Sequence, residues 1–322
     1  PPFFAITKRI HNGLYGSPGD GGPLGARERA HYEAVLRRNA HELRALVRRG
    51  DVVLLHDPQP AGLAVAARHA GATVLWRCHV GADAANEWTE RAWRFLAPYL
   101  ADVDGVIVSR AAFAPPWLDP GQVHVIPPSI DPFSPKNAPM AAEHVRAALT
   151  TVGLLGGAAA PASAPFARRD GSPGRIVHRA DVVQTGPPPR ADAPLVVQVS
   201  RWDRLKDMAG VMTGFAEHVE RQDAHLLLVG PAVTGVADDP EAASVLVECL
   251  EQWRRLPHAA RARIHLACTP LHDPDEAAAI VNALQRHAAV VVQKSLAEGF
   301  GLTVLEAMWK ERPVVASAVG GI

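Results

Sequence analysis

The sequence predicts an α/β protein with two doubly wound parallel sheets. Short β-branched runs alternate with helical patterns from Val52 onward, and a second alternation of the same kind begins at Leu195. Between them lie a proline-dense stretch, 127–135, and a stretch rich in Ala, Gly, Pro and Arg, 156–194. Alternating strands and helices are typical of βαβ units, in which the strands are parallel and helices cover the sheet. The two alternations therefore predict two such domains.

The composition between the two alternations sets the predicted domain boundaries. We expect an N-terminal domain over residues 1–130, a hinge and insertion over 131–193, and a C-terminal domain over 194–322. The composition of 156–194 favours a long surface insertion or mobile linker. The chain does not begin with Met and ends at Ile322 just after a predicted strand, so we expect a fragment truncated at both ends.

The overall composition is that of a globular protein without a strong net charge. Lys plus Arg and Asp plus Glu are 33 each, so the net charge is zero and no nucleic-acid partner is expected. No apolar run approaches a transmembrane span and no signal peptide opens the sequence, so no membrane partner is expected. Cys78, Cys249 and Cys268 form no Cys-x-x-Cys motif, which favours reduced thiols in a cytoplasmic protein.

Two polar residues follow successive strands of the N-terminal domain. Predicted helices cover 3–14, 26–49, 59–70 and 87–99, and predicted strands cover 52–55, 73–77, 105–109 and 123–126. Asp57 and His79 come after the first and second of these strands. Ligands of doubly wound sheets bind at the carboxyl ends of the strands, so both residues are candidates for a site. The alternatives are a turn at Asp57 before Pro58 and a hydrogen-bonded structural histidine.

Two cations lie in the first strand-to-helix turn of the C-terminal domain. Predicted strands cover 195–199, 225–229, 263–267, 290–292 and 314–316, and predicted helices cover 140–155, 208–221, 239–256 and 273–287. Arg201 and Lys206 follow the strand at 195–199 with four residues between them. A forked guanidinium and a mobile ammonium together suit a diphosphate. The alternative is a pair of surface charges.

A glycine loop follows the strand at 290–292 and leads into a helix. Gly299 and Gly301 lie in this loop, and Glu298 and Glu306 flank it with seven residues between them. A helix N-terminus presents unpaired N–H groups and about half a positive charge, which favour a phosphate. The alternatives are ordinary turn glycines and a Thr-x-x-Glu capping box, formed by Thr303 and Glu306, that would make Glu306 structural.

These motifs resemble the retaining glycosyltransferases of the GT-B fold, of the family-four type, in which two Rossmann-like domains face each other across a cleft. The shared motifs are Ser200-Arg201 with Lys206, and Glu298 with Glu306. The resemblance is closest to the trehalose glycosyltransferring synthases. The segments that point to this subgroup are His11-Asn12, His56-Asp57-Pro58-Gln59-Pro60, Trp76-Arg77-Cys78-His79, Pro127-Pro128-Ser129-Ile130-Asp131-Pro132 and Glu306-Ala307-Met308-Trp309-Lys310.

The resemblance implies a reaction and a role for each candidate residue. Glucose would move from a nucleotide-diphosphate glucose to a small sugar acceptor, free glucose, with retention of configuration, to form trehalose. His79, Asp57 and Glu298 would be the catalytic residues that contact the transferred glucose. The donor would be bound by Arg201, Lys206, Gly299, Phe300, Gly301, Leu302, Thr303 and Glu306, with Glu306 on the ribose. Neither a metal nor another cofactor is expected, since Arg, Lys and a helix terminus hold the diphosphate.

Three other functions remain open at the level of sequence. A trehalose phosphorylase of similar sequence would use phosphate where the nucleotide binds. A non-catalytic sugar-nucleotide-binding fragment would bind the donor without turnover, and Glu298 and His79 would then be dispensable. A sugar-nucleotide epimerase fits the GT-B fold but not the subgroup motifs. The oligomeric state, a homodimer included, and the nucleotide base of the donor stay open.

Overall fold

The computed structural model describes residues 2–158, 164–233 and 240–322, and the chain forms two compact units. The first unit contains the residues up to Pro128 together with Ala297–Gly301 and Ala318–Ile322. The second unit contains Ser129–Leu296 and Leu302–Ser317. The glycine loop predicted to bind the donor is therefore divided: its first part belongs to the first unit, and the helix that follows belongs to the second.

The first unit contains a four-stranded parallel sheet in the order β1-β2-β3-β4. Its elements are α1 (Pro2–Leu14), α2 (Ala26–Leu46), β1 (Val52–His56), α3 (Ala64–His69), β2 (Thr73–Cys78), α4 (Glu87–Leu100), β3 (Gly105–Val108) and β4 (Val123–Val125). A 3₁₀ turn, Ala61–Leu63, takes the place of the first turn of the helix predicted over 59–70. Parallel strands end at the same edge of a sheet, so the residues after β1 and β2 lie side by side.

The core of the first unit packs α1 and α4 against the sheet. Ile10, Trp76 and Leu96 are completely buried there, and their helical or strand spacing is what places them on one face. Asn86 caps α4, because its side-chain oxygen accepts the backbone N–H groups of Trp88 and Thr89 at 3.0 and 3.1 Å. This packing gives β1 and β2 a rigid support on which the residues at their carboxyl ends are held.

The second unit contains a six-stranded sheet in the order β12-β11-β8-β9-β10-β7, parallel except for β7. Its strands are β5 (Pro165–Ala167), β6 (Pro173–Arg175), β7 (Asp181–Val183), β8 (Leu195–Val199), β9 (His225–Pro231), β10 (Ile264–Thr269), β11 (Val290–Gln293) and β12 (Val314–Ala316). Its helices are α5 (Ala142–Val152), α6 (Met208–His218), α7 (Pro240–Arg255), α8 (His258–Arg261), α9 (Pro274–His287) and α10 (Leu302–Trp309). The predicted start of α7 at Asp239 lies outside the described residues.

The segment interpreted as a surface insertion or linker, 156–194, instead contains β-structure. β5 and β6 form an antiparallel pair, and β7 adds an antiparallel strand to the edge of the main sheet beside β10. Phe166 and Ile176 are buried in the core of the second unit. The strands have three residues each, too short for their alternation to stand out against the surrounding Ala, Gly and Pro. Residues 159–163 of the segment lie outside the described residues.

The strand order of the second unit has a switch point at β8. From β8 the chain proceeds to β9 and β10 on one side, and β11 and β12 lie on the other side. Crossovers of opposite direction leave a crevice outside the carboxyl ends of the two strands at such a point, and this crevice is where doubly wound sheets bind ligands. The loops after β8 and β11 therefore define the candidate binding edge. No helix within the described ranges combines the length and apolarity needed to cross a membrane.

Candidate functional site

Asp57 closes the carboxyl end of β1 in the first unit. Its φ angle of 62° lies in the left-handed region, which few residues other than glycine adopt without strain. Its carboxylate accepts the backbone N–H of His79 at 2.8 Å, and its carbonyl oxygen accepts the indole N–H of Trp76 at 2.8 Å. Backbone strain held in place by such contacts is a feature of functional sites. Asp57 therefore ties together the carboxyl ends of β1 and β2.

His79 forms a hydrogen-bonded pair with His56 at the same edge. The Nδ1 of His56 lies 2.8 Å from the Nε2 of His79, and the ring planes differ by only 10°. One nitrogen donates and the other accepts, so the pair needs at least one neutral imidazole. Burial lowers the pKa of His79, although the charge of Asp57 opposes this, and burial raises the pKa of Asp57. His79 is thus a neutral imidazole at pH 7, suited to hydrogen bonds with sugar hydroxyls.

The glycine loop of the first unit passes directly beside His79. A Cβ atom on Gly299 would lie 2.1 Å from the carbonyl oxygen of His79, so only glycine fits at this position. Gly301 has a φ angle of 85°, again a glycine conformation. Glu298 precedes these glycines, and its carbonyl oxygen accepts the N–H of Gly321 at 3.3 Å. The structure therefore brings His79, Asp57 and the loop that carries Glu298 to one edge of the first unit.

The loop after β8 holds Arg201 and Lys206 in a fixed turn. Asp203 is buried, and its carboxylate accepts the N–H of Leu205 at 2.9 Å and the guanidinium of Arg201 at 3.3 Å. The neighbouring Trp202 is completely buried and donates its indole N–H to the carbonyl oxygen of Pro231 at 2.9 Å. The turn that carries Arg201 and Lys206 is therefore held in place by hydrogen bonds to buried side chains.

Lys294 adds a further cation to this edge and was not identified from the sequence. It directly follows β11, and its ammonium forms an ion pair with Asp207, which begins α6 with a φ angle of 46°. The completely buried Gln198 braces the same region, because its amide donates to the carbonyl oxygen of Lys206 at 2.7 Å. The position of Lys294 two residues after the predicted strand at 290–292 was the signal available in the sequence.

Glu306 is buried in the second unit and is not part of a capping box. α10 begins at Leu302, so Thr303 lies inside the helix rather than at its N-cap. The Glu306 carboxylate pairs with the ammonium of Lys136 at 2.8 Å, and Gln285 lies at 3.5 Å. Leu302 and Thr303 form the first turn of α10, whose backbone N–H groups have no carbonyl partner within the helix. The carboxylate therefore has one cationic partner and lies in the helix that follows the switch-point strand.

The two groups of predicted residues occupy different units. His79, Asp57, Glu298, Gly299, Phe300 and Gly301 belong to the first unit, and Arg201, Lys206, Leu302, Thr303 and Glu306 belong to the second. Within residues 2–158, 164–233 and 240–322, no group of three or more His, Cys, Asp or Glu side chains is arranged to hold a metal ion. The polar groups that the second unit offers at its switch point include several cations and backbone N–H groups, which suit a phosphorylated ligand.

Two Rossmann-like units with a cationic switch point define the fold as that of a GT-B glycosyltransferase, as predicted. The solved structure of an α,α-trehalose-phosphate synthase (UDP-forming) from Burkholderia xenovorans, in complex with glucose-6-phosphate, matches with a TM-score of 0.71. It is 17% identical in sequence, and the match covers 99% of this chain and 70% of that one. At this identity the likeness concerns the fold.

Sequence comparison assigns the two parts of the chain to families. Residues 1–115 match the family model of the trehalose synthase N-terminal domain, and residues 193–322 match that of the group 1 glycosyl transferases. The predicted resemblance is therefore confirmed. A trehalose synthase of Rubrobacter xylanophilus is 33% identical over 338 residues, and one of Pyrococcus horikoshii is 31% identical over 323 residues. These matches cover 100% and 99% of this chain, which spans only 65% and 64% of the lengths of those relatives.

Proposed function

We propose that this chain carries the glucosyl-transferring residues of a retaining glycosyltransferase that makes trehalose from a nucleotide-diphosphate glucose and free glucose. The observation that carries the proposal is the switch point of the second unit. Arg201 and Lys206 follow β8 there, Lys294 follows β11, and β8 and β11 are neighbours in the sheet. Three cations at the place where doubly wound sheets bind ligands support a diphosphate as the group that is bound.

In the proposed reaction the second unit holds the leaving group. The bond between the anomeric carbon of glucose and the phosphate oxygen breaks, and the acceptor hydroxyl oxygen forms the new bond on the same face. The departing phosphate oxygen takes the proton of that hydroxyl, so no protein base is required. Arg201 and Lys206 stabilise the negative charge that develops on the diphosphate, which is the larger part of catalysis in a transfer of this kind.

The first unit is proposed to contact the transferred glucose. The imidazole of His79 bonds His56 through Nε2 and has Nδ1 left for a hydroxyl, and the carboxyl group of Asp57, whose pKa is raised by burial, would bond another. Glu298 would bond a further hydroxyl from the loop that begins beside His79. We assign Glu306 to the ribose of the donor, because a buried carboxylate with one cationic partner retains acceptor capacity for two vicinal hydroxyls.

Incubation with donors that differ in their base tests the proposal. The protein is supplied with a series of nucleotide-diphosphate glucoses and with glucose, and the products are separated and tested for a non-reducing disaccharide. Trehalose together with released nucleoside diphosphate is the expected result. Turnover of trehalose with inorganic phosphate, and none with any nucleotide donor, would instead identify a phosphorylase. Calorimetry with the free nucleoside diphosphates separates a binding fragment, which binds without turnover, from a protein without a donor site.

A further inference from the structure

A second cationic pocket lies at the opposite edge of the main sheet in the second unit. It encloses about 400 Å³ and takes its charged side chains from α5, from the end of α9 and from the segment between α10 and β12. These charged residues are Arg146, Arg286, His287, Lys310, Glu311 and Arg312. α9 precedes β11, and the segment 310–312 precedes β12, so the pocket lies at the amino ends of strands whose carboxyl ends face the switch point.

Four cations of this pocket form no ion pair within the described residues, although Glu311 also lines the pocket. Within the part of the chain that the structure describes, no carboxylate lies within ion-pair distance of Arg146, Arg286, Lys310 or Arg312. Lys310 is buried and donates instead to the amide oxygens of Asn137 and Gln285 at 2.8 and 2.7 Å. Arg286 likewise bonds only neutral oxygens, among them the side-chain oxygen of Asn282 at 3.0 Å.

The lowered pKa values of the pocket residues show that burial and mutual repulsion disfavour their charged forms. The pKa of Lys310 is lowered to about 7, chiefly by burial and also by the nearby Arg286 and Lys136, whereas the charge of Glu306 opposes the shift. Burial and Arg312 lower the pKa of Arg286, and burial and Arg146 lower that of His287. Cations that repel one another in a concave, partly desolvated site are stabilised when an anion enters it.

The remaining walls of the pocket indicate the kind of anion. Met140 and the half-exposed indole of Trp309 form an apolar side. Ala142, in the first turn of α5, forms another side, and the N-terminus of this 11-residue helix favours negative charge. Guanidinium groups bind phosphate oxygens in pairs, and an apolar wall accepts an organic group attached to the phosphate.

We propose that this pocket binds the phosphate monoester of a small organic molecule, at a site separate from the donor site. Calorimetry with inorganic phosphate and with a hexose monophosphate tests this, with the unphosphorylated hexose as a control ligand. The titrations are made in the Lys206→Ala background, in which phosphate binding at the switch point is weakened. We expect both phosphates to bind, the hexose not to bind, and binding to weaken as ionic strength rises.

Substitution of the unpaired arginines locates the binding. Arg146→Ala with Arg312→Ala should weaken phosphate binding by at least about tenfold, because bonds to charged groups are lost. Arg255→Ala is the matched control, since Arg255 is exposed on α7, away from the pocket lining, and pairs with Glu251 at 3.8 Å. Unchanged binding in the double variant, or an equal loss in the control variant, would overturn the proposal.

The apolar wall is tested separately with Trp309→Ala. We expect this variant to bind inorganic phosphate as the parent does and to lose the additional affinity for the hexose monophosphate. If both phosphates bind the parent equally, or if Trp309→Ala weakens both to the same extent, the monoester assignment is wrong. Circular dichroism of each variant shows whether the fold is retained, and Trp309 is 55% exposed, so its removal leaves the core intact.

Discussion

Two pairs of stacked histidines lie in this molecule, one at each kind of sheet edge. His56 and His79 are 2.8 Å apart at the carboxyl ends of β1 and β2 in the first unit. His225 and His265 are 2.9 Å apart at the amino ends of β9 and β10 in the second. The ring contacts are alike, with centroids 5.1 and 5.2 Å apart. The surroundings differ, since His265 is only 1% exposed whereas His79 is partly open to solvent.

The two pairs differ in the strand end at which they lie, and on this ground we propose different roles for them. Loops at the carboxyl ends of parallel strands meet at the ligand-binding edge, whereas the amino ends only begin the sheet. The amino-end pair is therefore assigned to structure, and burial lowers the pKa of His265 to about 4. The carboxyl-end pair lies beside a strained aspartate and a glycine loop, and it is assigned to substrate. The following predictions test this division.

Lys206→Ala should have the largest effect on transfer. Removal of an ammonium from a carboxyl-edge loop takes away stabilisation of the leaving diphosphate, and we expect a loss of about 100- to 1000-fold in kcat/KM. The variant should remain folded, because the buried Trp202 and the backbone carbonyl of Lys206, which accepts the amide of Gln198, hold the turn. Full activity in this variant would contradict the diphosphate assignment.

Replacing one histidine of each pair with alanine gives a matched comparison between the two pairs. His79→Ala should lower kcat/KM by about 100-fold, because hydrogen bonds to the transferred sugar are lost. His265→Ala should leave transfer per folded molecule unchanged but lower the free energy of unfolding, since it leaves a cavity among buried side chains. Initial rates and urea unfolding curves of both variants measure the two effects. The division of roles is wrong if His265→Ala loses activity while it remains folded.

The amino-edge pair should also make the protein sensitive to acid. The pKa of His265 is lowered from its ordinary value of 6.5 to about 4, so the unfolded chain binds a proton more readily than the folded one. Its contribution to stability is present above pH 6.5 and is lost as the pH falls toward 4. Between pH 7 and pH 5 we expect a loss of about 2 kcal/mol from this group.

His265→Gln replaces the titratable imidazole with a neutral amide and is the control for the acid effect. The variant should show a smaller decrease in the free energy of unfolding between pH 7 and pH 5, measured by urea titration at each pH. His79→Gln changes a less buried group, whose pKa is also lowered, so its effect on the acid sensitivity should be smaller. Equal acid sensitivity in the parent and in His265→Gln would exclude His265 as the source.

Sequence reasoning predicted the α/β class, the two sheets and the residues that follow β1, β8 and β11, because these depend on local apolar patterns. It missed contacts between distant segments. The partner of Glu306 is Lys136, 170 positions earlier in the chain, and the capping-box alternative for Glu306 depended on a helix start that the structure places elsewhere. The edge strand β7 was missed because three residues carry too little periodicity to identify a strand.

Lys294→Ala should have the smallest effect on transfer. It compares two cations that both lie at the carboxyl ends of the strands in the second unit, Lys294 and Lys206. The ammonium of Lys294 forms an ion pair with the carboxylate of Asp207. We expect the apparent KM for the donor to rise about tenfold with little change in kcat, because a partly neutralised cation contributes to binding more than to the transition state. Asp207→Asn, which frees the Lys294 ammonium, should change KM in the opposite direction. Steady-state kinetics with varied donor measure both, and a fall in kcat equal to that of Lys206→Ala would place Lys294 on the leaving group instead.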